Sequence, residues 1–153
     1  MRFIHTSDLH LGVSPDAGPE YTKKRPDEIW DSFKSLLDRC ENEQIDLLLI
    51  SGDVFHRQPL LRELKEMFAG LSHTKVVFIA GNHDYLKSNS MYRNFRWAGN
   101  VVPLLEGRLL KVEFPEFKTA VSGFSYLDKE IQGGIRVEWK CLRSMENEIL
   151  LLH

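Results

Sequence analysis

Four consecutive residues with side chains suited to metal and phosphate chemistry, Gly81-Asn82-His83-Asp84, directly follow the apolar run Val76-Val77-Phe78-Ile79-Ala80. A β-branched and aromatic run that ends in Gly-Asn predicts a buried strand that breaks into a loop. The carboxyl ends of strands in an open α/β sheet are where ligands bind. The amide, imidazole and carboxylate of this loop are therefore predicted to take part in chemistry.

Three further apolar runs end in side chains of the same kinds. They lead into Asp8-Leu9-His10, into Gly52-Asp53-Val54-Phe55-His56, and into His153. Side chains two apart on an extended segment point the same way, so Asp8 and His10 are predicted to face one ion. Carboxylate, imidazole and amide oxygen together suit Mn²⁺, iron or Zn²⁺ better than Mg²⁺. The pattern predicts a metal centre for phosphoester chemistry at one edge of a sheet.

A series of strands and helices must position these residues. Strands are predicted at 2–6, 45–51, 75–80, 101–105, 109–114, 118–123 and 148–153, and helices at 26–42, 59–72, 88–98 and 136–147. The first three strands alternate with helices, which predicts a parallel core. The three strands between 101 and 123 are predicted to form a second, partly antiparallel layer. Residues 11–25, rich in glycine and proline, are predicted to be a loop.

Composition limits the class of protein. A length of 153 residues with 42% hydrophobic residues suits one compact domain. The net charge of −2 excludes a strongly basic protein, so any contact with nucleic acid must be local. The two cysteines show no paired spacing, which favours a reducing cytoplasm. No apolar run approaches the roughly 20 residues that span a bilayer, so no membrane association is expected.

The motifs Asp8-x-His10, Gly52-Asp53-x-x-His56 and Gly81-Asn82-His83-Asp84, in this order at strand ends, resemble those of the calcineurin-like metallophosphoesterase superfamily. The opening Ile-His-Thr-Ser-Asp-Leu-His-Leu-Gly and His56 are similar to the SbcD-type DNA repair nuclease branch. The resemblance implies an αββα sandwich with mixed central sheets flanked by helices. It also implies a DNA exonuclease or endonuclease that contacts the phosphate backbone, with an SMC-like ATPase and a second copy of the chain, as a homodimer, among the expected partners.

The resemblance implies two divalent ions, with Mn²⁺ preferred over iron and Zn²⁺. Asp53 is the candidate bridging ligand. Asp8 and His10 complete one site with it, and Asn82 and His153 hold the other ion. Water activated by the two ions then attacks phosphorus in line.

The same resemblance gives His83 a catalytic role and not a ligand role: it faces the phosphate and protonates the leaving oxygen. Many members orient this histidine with a carboxylate at the position of His56. A pair of imidazoles is expected to share one proton or stay neutral, which changes the pH profile. Asp84 is expected to fix the loop through backbone bonds.

One family motif, a final Gly-His-x-His, does not occur in these 153 residues. Residues 1–153 are therefore expected to be the amino-terminal part of a metallophosphoesterase domain, truncated at its C-terminal side and lacking one ligand of each ion. Little or no nuclease activity is expected from this part alone. Cleavage of duplex DNA by it at the rate of a longer parent protein would contradict this expectation.

Each part of the pattern also fits a structural role. Asp8-x-His10 alone is more often structural, and Gly52-Asp53 is equally typical of a turn. Tyr21, Tyr85 and Tyr92 fit either a cleft or the core, and Lys23-Lys24-Arg25 is expected to be a solvated surface. Alternative functions are a small-molecule phosphatase or cyclic-nucleotide phosphodiesterase of the same superfamily, and a non-catalytic scaffold of the same fold.

Overall fold

A computed structural model of the protein describes residues 1–14, 18–56, 60–131 and 143–153. The predicted α/β class is confirmed, with two sheets and two α-helices among these residues. The strands are β1 (Phe3–Thr6), β2 (Leu47–Ser51), β3 (Lys75–Ile79), β4 (Val101–Pro103), β5 (Leu110–Phe114), β6 (Thr119–Gly123) and β7 (Asn147–Leu151). The helices are α1 (Pro19–Asn42) and α2 (Leu61–Ala69), with 3₁₀ turns at Met91–Asn94 and Pro115–Phe117.

The first sheet, in the order β1-β2-β3-β4, is parallel throughout. Every residue of β2 is buried. Leu48 and Ile50 pack with α1 and α2, whereas Leu47 and Leu49 pack against the second sheet. Because both faces of β2 are covered, its sequence is a continuous apolar run and not an alternating one.

The second sheet, in the order β5-β6-β7, pairs β5 with β6 antiparallel and β6 with β7 parallel. One face of the first sheet packs on the two helices and its other face packs on the second sheet. The predicted sandwich with mixed sheets is therefore confirmed for the described layers. The strand β7 lies at an edge of this sheet among the described residues, and Leu150 is 37% exposed.

The prediction that 101–105 joins the second layer is wrong. Residues Val101–Pro103 pair with β3 in the first sheet, with Val76 opposite Val101. Asn100 explains the placement. Its side-chain amide donates to the Phe68 carbonyl at 2.7 Å, and its backbone carbonyl accepts from the Val76 amide at 2.9 Å. Hydrophobic alternation in a short strand cannot indicate which sheet it joins.

The first helix begins at Pro19, seven residues before its predicted start. Proline suits the first turn, where its missing N–H removes no helical bond. The first bond runs from the Thr22 amide to the Gly18 carbonyl at 2.9 Å. Pro26 lies inside the helix and does not begin it. The sequence pattern failed here because Pro26 is typical of a helix boundary.

Two other helix predictions are corrected. Within 88–98 only Met91–Asn94 is helical, as one 3₁₀ turn, because the aromatic residues pack on each other: the Trp97 ring lies 4.9 Å from that of Phe95 and 4.9 Å from that of Phe78. Residues 143–146 are not helical either, since the Glu148 carboxylate accepts from the amides of Ser144 and Met145. Asn147, where that predicted helix ends, begins β7, and residues 136–142 and Pro59 lie outside the described residues.

Two expectations from composition also meet the structure. Cys40 is a free, buried thiol, while Cys141 lies outside the described residues. Burial raises the pKa of Cys40 to about 11, which keeps the thiol protonated near neutral pH. Neither of the two described helices is long and apolar enough to span a membrane.

Candidate metal centre

The backbone after β1 and β2 is left-handed at three candidate ligands. The φ angles are +55° at Asp8, +46° at His10 and +51° at Asp53. The prediction that Asp8-Leu9-His10 continues β1 in an extended conformation is therefore wrong. Backbone hydrogen bonds to the residues after β2 hold the kinked segment. One of them runs from the His10 amide to the Asp53 carbonyl at 2.9 Å. Left-handed non-glycine residues cost about 1–3 kcal/mol each and cluster at functional sites.

The first group of donors consists of Asp8, His10 and Asp53. Nε2 of His10 lies 3.7 Å from Oδ1 of Asp8 and 3.7 Å from Oδ2 of Asp53. These distances are too long for hydrogen bonds. Two donors that each lie about 2.1 Å from one ion are themselves about 3.0–3.5 Å apart, so the spacing is close to that of ligands around a shared cation.

The second group consists of Asp53, Asn82 and His153. Nε2 of His153 lies 2.9 Å from Oδ1 of Asn82 and 3.4 Å from Oδ2 of Asp53. Its other ring nitrogen, Nδ1, lies 2.7 Å from the carbonyl oxygen of Ser51. A carbonyl only accepts, so Nδ1 donates this hydrogen bond and Nε2 is the ring nitrogen that faces the Asn82 and Asp53 oxygens.

An imidazole nitrogen, an amide oxygen and a carboxylate oxygen thus converge on one position, and atoms of these types bind divalent transition metals. The donors of the second group therefore fit a metal ion, as those of the first group do. Oδ2 of Asp53 belongs to both groups, which is the geometry of a bridging carboxylate.

Asp53 is held in place by its other oxygen. Oδ1 accepts from the His83 amide at 2.8 Å, and the side chain is only 2% exposed. Within the described parts of the chain, its ion-pair contacts are with His10 and His153 and with no lysine or arginine. A buried carboxylate without such a partner is costly unless a cation accompanies it.

Two glycines allow this close packing. A β-carbon at Gly81 would overlap the Asp53 carboxylate, and one at Gly52 would lie 2.8 Å from Nδ1 of His153. Gly52 also has a φ of +82°, which favours glycine. The glycines that precede Asp53 and Asn82 are thus required by the donors, and not only by a turn.

The imidazole of His10, a member of the first donor group, packs against two further imidazoles. The rings of His56 and His83 stack with centroids 5.6 Å apart, and the His10 ring meets both edge-on, at 5.7 Å from His56 and 5.0 Å from His83. Nitrogens of the three rings are close enough to bind one ion, an arrangement that the sequence did not predict. Nδ1 of His10 is buried without a hydrogen-bond partner among the described residues. A histidine that binds a metal usually donates a hydrogen bond from its other ring nitrogen. Because His10 lacks this bond, packing against the other two rings orients it instead.

Asp84 anchors the loop, as expected. One carboxylate oxygen accepts from the Gly81 amide at 2.7 Å, and the other from the Val54 amide and the Tyr92 hydroxyl, both at 2.8 Å. Burial raises the pKa of Asp84, although these hydrogen bonds oppose the shift. Asp84 therefore ties the loop after β3 to the loop after β2.

Two contacts to His153 could not be predicted from the sequence. The Tyr126 hydroxyl donates to the His153 carbonyl at 3.2 Å, and the two rings meet edge-on at 5.6 Å. The Ser51 carbonyl, which fixes the imidazole, is a backbone group that no motif marks. The seven predicted site residues themselves all lie around one edge of the first sheet.

Comparison with known proteins agrees with this geometry. A subunit of the nuclease SbcCD of Escherichia coli (strain K12) is 36% identical over 90 residues, which are 55% of this chain and 21% of that protein. The DNA double-strand break repair protein Mre11 of Halobacterium salinarum is 33% identical over 89 residues, 54% of this chain and 22% of that protein. Mre11 of Methanococcus maripaludis is 30% identical over 102 residues, 62% of this chain and 26% of that protein.

The chain matches about a fifth to a quarter of the length of these curated relatives. The sequence model of the calcineurin-like phosphoesterase family, a family of hydrolases that act on ester bonds, matches residues 1–146. The match covers the loops that carry Asp8, Asp53 and Asn82. The chain belongs to the calcineurin-like phosphoesterase family.

Proposed function

We propose that the full-length protein is a two-metal phosphodiesterase that cleaves DNA. Asp8, His10 and Asp53 would hold one divalent cation, and Asp53, Asn82 and His153 the other. The observation that carries the proposal is the position of Oδ2 of Asp53, 3.7 Å from Nε2 of His10 and 3.4 Å from Nε2 of His153. Mixed oxygen and nitrogen donors favour Mn²⁺, iron or Zn²⁺ over Mg²⁺, and we propose Mn²⁺.

When bound, such a pair of cations makes water nucleophilic at neutral pH and offsets the charge on the phosphoryl oxygens. The chain supplies the remaining groups. The exposed His83 side chain lines the clefts beside the donors and is placed to donate a proton to a leaving oxygen. The His56 ring, whose centroid lies 5.6 Å from that of His83, would orient the His83 ring in place of the carboxylate that many family members have at this position.

DNA is the proposed substrate because relatives of this chain are named as a nuclease subunit and as double-strand break repair proteins. By the same resemblance we propose an SMC-like ATPase as partner, a homodimer as the assembly and the cytoplasm as the location. Size-exclusion chromatography with light scattering tests the dimer: a monomer at micromolar concentration would contradict it.

The function is tested with metal analysis and two substrates. Full-length protein with Mn²⁺ should contain two ions per chain and cleave linear duplex DNA. Asp53→Asn should lose both the ions and the cleavage, because it weakens a ligand common to the two sites. Asp128→Asn, a change of the same kind at an exposed residue, should retain both.

Three results would contradict parts of this proposal. Two ions in Asp53→Asn would remove the bridging role. Hydrolysis of p-nitrophenyl phosphate without cleavage of DNA would favour a small-molecule phosphatase. Wild-type protein that stays free of metal in excess Mn²⁺ would favour a scaffold without activity.

A further inference from the structure

Two clefts meet at the imidazoles beside the metal ligands. One has a volume of about 460 Å³ and is lined by His56, Asn82, His83, Tyr85, Lys87 and Lys129. The other, of about 420 Å³, includes Tyr21 and Arg25 together with Asp8 and His10. His56 and His83 line both clefts. A chain-like ligand can therefore occupy both clefts while it passes the reacting position.

Each cleft has a cation placed over an aromatic ring. Cζ of Arg25 lies 5.9 Å from the centroid of the Tyr21 ring, and Nζ of Lys87 lies 5.0 Å from that of Tyr85. Tyr21 is 48% exposed. A guanidinium or ammonium beside an open aromatic face is the combination that binds a phosphate and the adjacent base of an unpaired strand.

The charges of the two clefts favour an anion. Among the described residues that line them, Asp8, a candidate metal ligand, is the one carboxylate. Arg25 contacts Glu28 at 3.4 Å, with both side chains about half exposed, so this pair is weak and easily exchanged. Within the described residues, no carboxylate lies within ion-pair distance of Lys87 or Lys129.

The first of these pairs depends on the early start of α1. Tyr21 and Arg25 both lie in the two helical turns from Pro19 that the sequence assigned to a loop. They are four residues apart, so they share one face of the helix. Lys24, next to Arg25, is exposed and does not line the cleft. The basic triplet is therefore not one uniform solvated surface.

We propose that these clefts form a path for one unpaired DNA strand across the metal centre. Arg25 with Tyr21 binds the strand on one side of His83, and Lys87 with Tyr85 and Lys129 binds it on the other. The cations contact phosphates and the tyrosine rings stack on bases. The strand must be unpaired because the bases inside a duplex are stacked on their neighbours and present no free face to a side chain. This path rests on the proposed function, whose substrate it specifies.

Binding is measured without catalysis. Fluorescence anisotropy of a labelled 12-nucleotide single strand in EDTA reports on the path in the full-length protein. Arg25→Gln and Lys87→Gln should each weaken binding about three- to tenfold, and each should reduce the salt dependence by about 0.7 in the log–log slope. Lys24→Gln, which removes the adjacent charge, should change affinity less than twofold.

The tyrosine has a matched pair of variants. Tyr21→Phe keeps the ring and should bind as the wild type does, whereas Tyr21→Leu should bind about tenfold more weakly. Equal effects of Lys24→Gln and Arg25→Gln would overturn the path, because binding would then depend only on general charge. Tighter binding of a blunt duplex than of the single strand would also overturn it.

A kinetic experiment separates the path from the phosphodiesterase activity. With Mn²⁺, Arg25→Gln and Lys87→Gln should raise KM for the oligonucleotide several-fold, and should raise it more than they raise KM for bis(p-nitrophenyl) phosphate. If wild type hydrolyses the small ester but these variants retain the wild-type KM for the oligonucleotide, the path is wrong and the phosphodiesterase stands. If wild type hydrolyses neither, the proposed function fails, and the anisotropy experiment alone decides on the path.

Discussion

Asp53 uses its two oxygens for different purposes. Oδ1 is fixed by the His83 amide, which leaves Oδ2 between the imidazoles of His10 and His153. The same hydrogen bond links the position of His83 to that of the carboxylate. A substitution of the His83 side chain leaves this backbone donor intact, which makes the side chain's chemical role separable from metal binding.

At the residue scale, we predict that His83→Ala in the full-length protein keeps both ions and loses most turnover. Loss of a general acid typically lowers kcat by about 10²–10⁴. Metal content is measured by mass spectrometry and kcat on an oligonucleotide by gel analysis. His73→Ala, a change at an exposed imidazole at the opposite end of β3 from Asn82, serves as the control. Unchanged turnover in His83→Ala would remove this residue from the mechanism.

The structure brings together the side chains that the sequence singled out, but the local backbone geometry differs from the predicted one. Asp8 and His10 were expected to be neighbours because an extended chain places alternate side chains on one face. They are neighbours because both have left-handed backbones. The types and order of the residues indicate which chemical groups are present, whereas the conformation of the loop depends on backbone hydrogen bonds to another segment. The Ser51 carbonyl and Tyr126 had no signal in the sequence for the same reason.

At the element scale, the segments that follow the strands approach one another closely at Gly52 and Gly81. We predict that Gly81→Ala destabilises the protein by about 1–3 kcal/mol, because its β-carbon overlaps the Asp53 carboxylate. Gly99→Ala is the matched control, since its β-carbon would meet no atom within 4 Å. Urea unfolding measures both variants.

Gly81→Ala should also bind Mn²⁺ more weakly, as measured by calorimetry, because the displaced carboxylate belongs to both donor groups. Equal stability and affinity in the Gly81 and Gly99 variants would contradict the assignment of Gly81 as a packing requirement.

The elements that were predicted correctly are those with long apolar runs. The strands β2 and β3 are buried on both faces, so their sequences leave little choice of conformation. The elements that were misassigned are held by particular side chains, as Asn100 holds β4 and Glu148 holds the residues before β7. Such contacts join distant parts of the chain and leave no periodic pattern.

At the scale of the whole molecule, the donors come from both sheets, so a bound ion should stabilise the folded chain. A ligand present at 100 times its Kd adds about 2.7 kcal/mol to the free energy of unfolding. We predict that Mn²⁺ raises the Tm of the wild type by several degrees over EDTA. His153→Ala should retain part of the increase and Asp53→Asn very little. Equal shifts in the three proteins would indicate nonspecific binding.

The free energy of unfolding should also depend on pH, because of an ionisable residue in the second sheet. The Lys111 ammonium, which lies 2.9 Å from the Glu148 carboxylate, is the main cause that lowers the pKa of Glu148 from 4.5 to about 2, and the amides of Ser144 and Met145 add to the effect. Because the folded pKa is the lower one, the stabilisation is present above pH 4.5 and is lost as the pH falls from 4.5 toward 2.

We predict that Glu148→Gln has a lower Tm than wild type at pH 6 and that the difference shrinks as the pH falls to 3. Glu116→Gln, at an exposed residue, should show no such trend. A Tm difference for Glu148→Gln that is constant over this range would exclude the carboxylate charge as its cause.

The two donor groups differ in how much of the polypeptide must be synthesised before they exist. Asp8, His10 and Asp53 are all present once the ribosome has added residue 53, but the second group waits for His153. At about 5–20 residues per second, the intervening hundred residues take about 5–20 s. The residues of the Asp8 group, and the His83 amide that fixes Asp53, are therefore all synthesised before the last donor of the second group.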